Sequence, residues 1–418
     1  MSSASGIPAA TTWRALLTNR RYLFFLASLS AGDIGYAVYA VAAPWLAYQV
    51  TRNFFDVGAV LAAEFGLYAF SFVAAPFVDR TEDKRSVLLW GYALQAVAAG
   101  AIGTLYLTGH LLFPLLLGLV SSISVVWDFT WSANNTIPPL LLSQENLFRA
   151  GGLAGLVSGG NQVTGFTVGG ALILATGPGG AMLLYAALNA ASMVLALRVS
   201  TRGSPVATGS VWQAMVEGWK PWSKGSGGGP GGRPLRALSF YVALQGLFAP
   251  GAVLLITDIA SGGGAASQFT YGVLFTGFVL GGSAIGMLLG HLNPRRSVGR
   301  WLVATPAASA VLIFLVPHLL PSLLAGVGIW FAIGASMLGF EVCYMVYLQA
   351  SSPPSQVART TSNVFFFRGT ARALGSLALG GMATTLLVPA LAEVIGLGLL
   401  LTSGVGVVLW ASLKELRF

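Results

Sequence analysis

Polar positions interrupt this chain so rarely that it falls into a dozen long apolar stretches, at about 22–48, 55–78, 86–108, 111–137, 150–175, 178–198, 236–259, 269–290, 300–317, 321–348, 361–386 and 388–412. Each comes near the ~20 residues a helix needs to cross a hydrocarbon core. A backbone in lipid has to satisfy its own hydrogen bonds, so every stretch is predicted to be helical. Gly/Pro breaks at 177–180 and 387–389 separate spans that would otherwise run together. The expected fold class is an all-α membrane protein with twelve transmembrane helices.

The longest polar connector, 199–235, divides the spans six and six. This gives an N-terminal bundle at 1–198, a linker at 199–235 and a C-terminal bundle at 236–418. Within the linker, the Gly-rich run 223–232 has a flexible composition, and 211–220, with Trp212 and Trp219, can lie as a short amphipathic helix at the interface. The halves echo each other. Ser143-Gln144 recurs as Ser355-Gln356, Gly169-Gly170 recurs as Gly380-Gly381, and the basic connector beginning at Asp79 recurs at Asn293, with offsets of 212, 211 and 214. Three matches at nearly one offset predict a parallel internal repeat, hence two pseudo-symmetric six-helix bundles. Glycines at helical spacing (Gly155/Gly159, Gly165/Gly169, Gly282/Gly286/Gly290) are predicted to let helices approach closely.

Composition agrees with that reading. The chain has 418 residues, 55% hydrophobic and 8% charged, with mean hydropathy +0.77, whereas soluble domains carry roughly a quarter charged residues. The net charge of +9 sits in short connectors. When the spans are threaded alternately, Arg20/Arg21, Arg80/Lys84/Arg85, Arg149, the segment Arg198–Arg236, Arg295/Arg296/Arg300, Arg359 and Lys414/Arg417 share one side, and only Arg52 falls on the other. The positive-inside bias makes that side cytoplasmic, with both termini on it, in a multi-pass protein of the cell membrane. The same bias accounts for the basic charge without nucleic acid. Cys343 is the only cysteine, and His110, His291 and His318 are scattered, so neither a disulfide framework nor a metal site is expected. The first apolar stretch is too long for the core of a removable signal. No G-x-x-x-x-G-K-[ST] loop is present, so the chain is not expected to hydrolyse ATP, to act as an enzyme or to carry a cofactor.

The informative residues are charges inside spans, each of which asks for a partner or a wet cavity. Asp33 lies twelve residues beyond Arg21, roughly 18 Å along a helix rising ~1.5 Å per residue. Glu64 is mid-span in the second stretch; Asp128 and Glu341 lie in the fourth and tenth; Arg368 and Arg372 stand one turn apart in the eleventh. Ser121/Ser124/Asp128/Ser132/Asn135 and Glu64/Tyr68/Ser71 form stripes at helical spacing that are predicted to face a cavity. Arginine keeps its charge, so Arg368 and Arg372 require Glu341, an acid across the cleft, or an anionic group of a substrate. Asp33, Glu64, Asp128 and Glu341 are candidate protonation sites whose state selects a conformation, with Asp33 the leading proton carrier and Glu64 and Asp128 secondary. The alternative is that some acid–arginine pairs are static clips. Tyr36, Tyr68, Trp127, Trp131, Phe340, Tyr344 and Phe365 to Phe367 lie at the same levels, and a cleft of aromatics with a few charges suits an amphiphilic organic substrate. Tyr36, Trp131, Asn135, Arg368 and Arg372 are the candidate contacts.

Several of these residues carry a resemblance. Asp79-Arg80 followed by Lys84-Arg85 resembles the loop motif of the major facilitator superfamily, departing from it with Ala75 at the usual glycine position and Glu82/Asp83 where glycine or a basic residue is usual. Gly32-Asp33, the run Pro44–Gln49 and the run Ile137–Asn146 resemble the superfamily branch of macrolide, enterobactin and multidrug exporters. The run Gly165–Gly170 is similar to the antiporter motif of the fifth helix, with Phe166 in place of its proline. The resemblance covers essentially the whole chain. It implies two bundles rocking about a central cleft, with Asp79, Arg80 and Arg85 latching the cytoplasmic gate.

Together these readings predict proton-coupled efflux of an amphiphilic organic compound by alternating access. The partners would be the lipid bilayer, protons and a small-molecule substrate, and one chain suffices to build the cleft as a monomer. The alternatives are an uptake symporter for a small solute and a lipid flippase. A non-transporting membrane subunit would need larger soluble connectors than these.

Overall fold

The computed structural model describes residues 18–67, 71–142, 144–199, 210, 212, 232–262, 267–292, 298–319, 322–351 and 357–409. Fourteen helical elements follow one another: α1 (Arg20–Thr51), α2 (Phe54–Gly66), α3 (Ser71–Asp79), α4 (Lys84–Leu107), α5 (Phe113–Thr136), α6 (Pro138–Leu141), α7 (Gln144–Ala196), α8 (Gly232–Phe248), α9 (Gly251–Ser261), α10 (Ser267–Leu292), α11 (Val298–Leu319), α12 (Leu323–Ser351), α13 (Val357–Ala383) and α14 (Val388–Val408). They make twelve crossings in two six-helix bundles of a multi-pass membrane protein.

Nine of the described stretches are long and apolar enough to cross a membrane by themselves. One of these lies in α7, which carries two crossings, because the chain turns at Gly177 (φ 74°, ψ 176°). That left-handed backbone favours glycine, and Pro178 follows it. Two further crossings fail that test: α13, which carries the arginines, on apolarity, and the second crossing because its described pieces, α2 and α3, are each too short. Local chemistry sets the ends. Asn19, Asn53 and Asp83 cap α1, α2 and α4 by accepting from the backbone N–H of Tyr22 (3.2 Å), Phe55 (2.9 Å) and Arg85 (3.2 Å). The predicted break at 387–389 also appears: extended Leu387 precedes α14, with Pro389 in its first turn.

One predicted span needs correction. The stretch 236–259 is not one helix: it breaks between α8 and α9 at Ala249-Pro250, where proline has no N–H to continue the ladder. The stretch 55–78 is described as α2 and α3, with 68–70 outside the described residues; Gly66 packs closely on α13, where an added methyl would stand 2.8 Å from the Ala373 Cβ. Tyr68 lies outside the described residues, as do the Gly-rich run and, apart from Trp212, the proposed interfacial helix of the linker.

Packing treats the two ends of the bundles differently. On the side away from the basic connectors, a single hydrophobic core runs through both halves, from Val38, Trp45 and Val60 to Tyr271, Trp330 and Leu399. On the basic side there are two separate cores, one of Tyr22, Phe25, Leu88 and Tyr92, the other of Tyr241, Val298, Phe340 and Tyr344. The halves meet chiefly through α2 on α13 and α7 on α10. A methyl added to Gly380 would stand 2.9 Å from the Gly58 Cα, and one added to Gly272 would stand 3.1 Å from the Gly170 Cα. Gly58 and Gly272 are offset by 214 residues, so the two seams are equivalent under the internal repeat. Trp45 stacks on Tyr271 across the halves (centroids 4.8 Å), and the Tyr271 hydroxyl donates to the Val41 carbonyl at 2.9 Å. Gly165 and Gly169 do serve close packing, with α7 pressed on Ala37 and Val38 of α1; Gly159 and Gly286 face open space.

Candidate functional site

Where the fused end gives way to the divided one, a cavity of about 290 Å³ lies between the halves. Its N-terminal wall includes Tyr36, Leu61, Glu64, Phe65, Gln162 and Phe166; its C-terminal wall includes Gln245, Pro250, Phe275, Phe278, Glu341 and Arg372. The break at Pro250 opens the α8–α9 crossing at this level. Phe166 and Phe275 meet across the halves with centroids 5.6 Å apart, and Phe278 extends the aromatic wall at 6.1 Å from Phe275.

The charges are arranged unequally. Glu341 on α12 accepts from Arg372 Nη2 on α13 at 2.6 Å and also pairs with Arg368. Arg368 further donates to the Tyr344 hydroxyl at 2.9 Å and lies over its ring, 5.1 Å from the centroid. The sequence left three partners open for these arginines, and the structure gives both of them Glu341. Two guanidinium groups share one carboxylate, so the cluster keeps a positive surplus. Arg372 reaches across the cleft to lie 4.9 Å over the ring of Phe65 in the N-terminal half. Its neighbour Glu64 is 3% exposed. The Tyr36 hydroxyl donates to Glu64 Oε1 at 3.2 Å, while Oε2 is buried without a hydrogen-bond partner.

The other sequence candidates lie elsewhere. Asp33 is not among the cavity's lining residues; it sits beside Ser158 and Asn161 of α7, within the N-terminal half. Asp128 is 1% exposed, and neither carboxylate oxygen has a partner. Ser124 and Ser132 of the same stripe are buried as well, so that face of α5 packs within its bundle and does not line the cavity as expected. Trp131 and Asn135 are exposed and also lie off the cavity, Asn135 donating to the Trp131 carbonyl at 2.9 Å. Trp131 is nonetheless linked to the site: it stacks on Trp127 (5.3 Å), which packs on Tyr36 (5.3 Å). Sequence reasoning passed over Phe65, Gln162, Gln245, Phe275 and Phe278. The two glutamines could have been found by searching apolar spans for uncharged amides.

At the basic connector, Arg80 donates to the carbonyls of Pro76 (2.7 Å) and Ser210 (2.9 Å), and Arg85 to the Leu197 carbonyl (3.3 Å) and, as an ion pair, to Asp83 (3.6 Å). Asp79 is exposed, and its carbonyl accepts from Lys84 Nζ at 3.3 Å. Lys84 also caps the Val78 and Thr81 carbonyls, a C-cap the sequence reading did not name.

Solved structures repeat this arrangement of helices. A point mutant of the nucleoside transporter NupG matches 96% of this chain and 100% of its own, with TM-score 0.73 and 12% identity. A bacterial homologue of the iron transporter ferroportin in an inward-facing state matches 94% and 98% (0.66, 16% identity). A bacterial homologue of the human lysosomal transporter Spinster, inward-facing and occupied, matches 95% and 96% (0.62, 16% identity). The fold is that of the major facilitator transporters. No protein-family model and no curated protein matches the sequence.

Proposed function

We propose that the chain is a proton-coupled secondary transporter that exports a small amphiphilic organic compound by alternating access, with the basic side and both termini in the cytoplasm of the cell. The observation that carries this reading is the cavity shared by the two halves, with Glu64 on one wall and the Glu341–Arg372 pair on the other. It lies at the boundary between one fused core and two divided ones, where rocking would transfer access from one side to the other. Glu64 is the leading proton carrier because it lines the cleft and faces the surplus positive charge; Asp33 and Asp128 are secondary carriers inside the N-terminal bundle. Arg372 and Tyr36 contact the substrate, Arg368 holds Glu341 in place, and Trp131 and Asn135 form the approach on the basic side. The bundles divide as 1–198 and 236–418, one chain working as a monomer. Arg80, Lys84 and Arg85 brace the cytoplasmic end of the N-terminal bundle, and Asp79 is left exposed for the gate to engage.

The test is pH-driven transport in proteoliposomes with Glu64→Gln. Loss of proton-driven flux with a well-folded protein is expected; unchanged flux would falsify the coupling assignment.

A flippase reading gains support from one feature, an apolar groove of about 310 Å³ on the α7–α10 seam lined by Leu174, Phe269, Leu280 and Val327. Redistribution of a fluorescent lipid between leaflets in protein-containing vesicles, absent from empty ones, would favour it over export.

A further inference from the structure

Two groups on opposite walls of the cavity hold buried acceptor atoms that the chain itself does not satisfy. Glu341 and Arg372 are engaged with each other, the Tyr36 hydroxyl is spent on Glu64 Oε1, and Gln162 is exposed. The two acceptors belong to Gln245 and Glu64. Gln245 is 2% exposed and its Oε1 has no hydrogen-bond partner; Glu64 Oε2 is in the same position on the opposite wall. Both orphan atoms are acceptors. A buried acceptor without a donor carries the full cost of its lost hydration, and the terminal torsion of a glutamine is soft enough for a bound donor to re-aim it. Between the two walls, Phe166, Phe275 and Phe278 offer ring faces and edges to a flat body.

Resting on the transport reading above, we infer that Gln245 is a substrate-reading residue and that the substrate class is a small planar molecule carrying unhindered N–H or O–H donors, read by Gln245 Oε1 and Glu64 Oε2 while its ring system packs on the phenylalanines. A site built to receive a donor discriminates strongly against the analogue that lacks it, because the site's own polar atoms are then left unpaired.

The experiment uses the full chain in lipid nanodiscs and two fluorescent probes of one shape, 7-amino-4-methylcoumarin and its 7-dimethylamino counterpart, in which methyl groups replace both N–H donors. Binding is expected to favour the amino compound by at least about tenfold, the cost of one unpaired buried group expressed as a ratio. Gln245→Leu should bring the ratio close to one. Gln245→Glu, which keeps an acceptor oxygen, should retain the preference and shows that the position tolerates change. Equal affinities in the wild type, a preference that survives Gln245→Leu, or binding of neither probe overturns the inference. Each of these leaves the transport reading to its own measurement: if Glu64→Gln still abolishes proton-driven flux, only the substrate assignment has failed.

Discussion

The two halves share a fold and differ in how they hold charge. In the C-terminal half, Glu341, Arg368 and Arg372 are held together by short contacts between α12 and α13, with one positive charge in surplus. In the N-terminal half, Glu64 Oε2 and both oxygens of Asp128 are buried without a hydrogen-bond partner, and Asp33 lies beside Ser158 and Asn161 of α7. A buried pair with hydrogen bonds is fixed in one state, since breaking it strands a charge. A buried acid that is not locked into such a pair can gain or lose a proton at little structural cost. On the transport reading proposed above, the repeat divides its labour: the C-terminal half supplies a permanent positive field, and the N-terminal half supplies the groups able to respond to it.

The largest effect should come from breaking the fixed side. Glu341→Gln leaves two largely buried guanidinium groups without their carboxylate, and losing one partner of such a pair typically costs about 3–5 kcal/mol. A marked fall in Tm, with poor recovery of monodisperse protein, is expected; a Tm unchanged from wild type would mean that the arginines find other acids and that the halves are not so different. Returning the cluster to its wild-type net charge with Glu341→Gln combined with Arg368→Met should recover part of the loss.

Next comes the responsive side. Glu64→Gln keeps the shape and the acceptor oxygen for Tyr36 but removes the charge facing Arg372. Stability should be close to wild type while proton-driven flux falls to background, and exchange of substrate down its own gradient should persist. Loss of that passive exchange as well would make Glu64 a binding or structural group rather than a coupling one.

This division was only partly legible in the sequence. The twelve crossings were, because apolar length is a one-dimensional property. Azimuth was not. Asp33 sits deep along α1 as expected, yet it turns towards α7 instead of the cavity. Asp128 and Trp131 are three residues apart on α5, and one is 1% exposed while the other is 41% exposed. Which acid serves Arg372 depends on how α12 is rotated against α13, and no spacing rule states that. Gln162 and Gln245 escaped notice for a different reason: an amide carries no charge, so its burial raises no alarm until its partners are counted. The break at Pro250 was visible as a proline, but its place in the wall of a cavity required the tertiary structure.

Asp128→Asn sharpens the comparison from within the N-terminal half. No group bonds to either oxygen, so an uncharged amide of the same shape removes a desolvated carboxylate without orphaning a partner. Tm should equal or exceed that of wild type, the opposite of Glu341→Gln. A clear loss of stability would reveal a counter-ion and move Asp128 into the paired class.

The smallest effect is expected at Asp33. Its neighbours Ser158 and Asn161 can hydrogen-bond an asparagine as readily as an aspartate, and it lies off the cavity, so Asp33→Asn should leave both stability and probe affinity near wild type. Any loss should be confined to proton-driven flux and should be smaller than that of Glu64→Gln measured in parallel over the same pH range. The ordering is the point of the measurement. If Asp33→Asn proves the more severe of the two, the proton would be carried at the α1–α7 packing rather than at the cleft, and its coupling to substrate would have to pass through the bundle instead of across the shared wall.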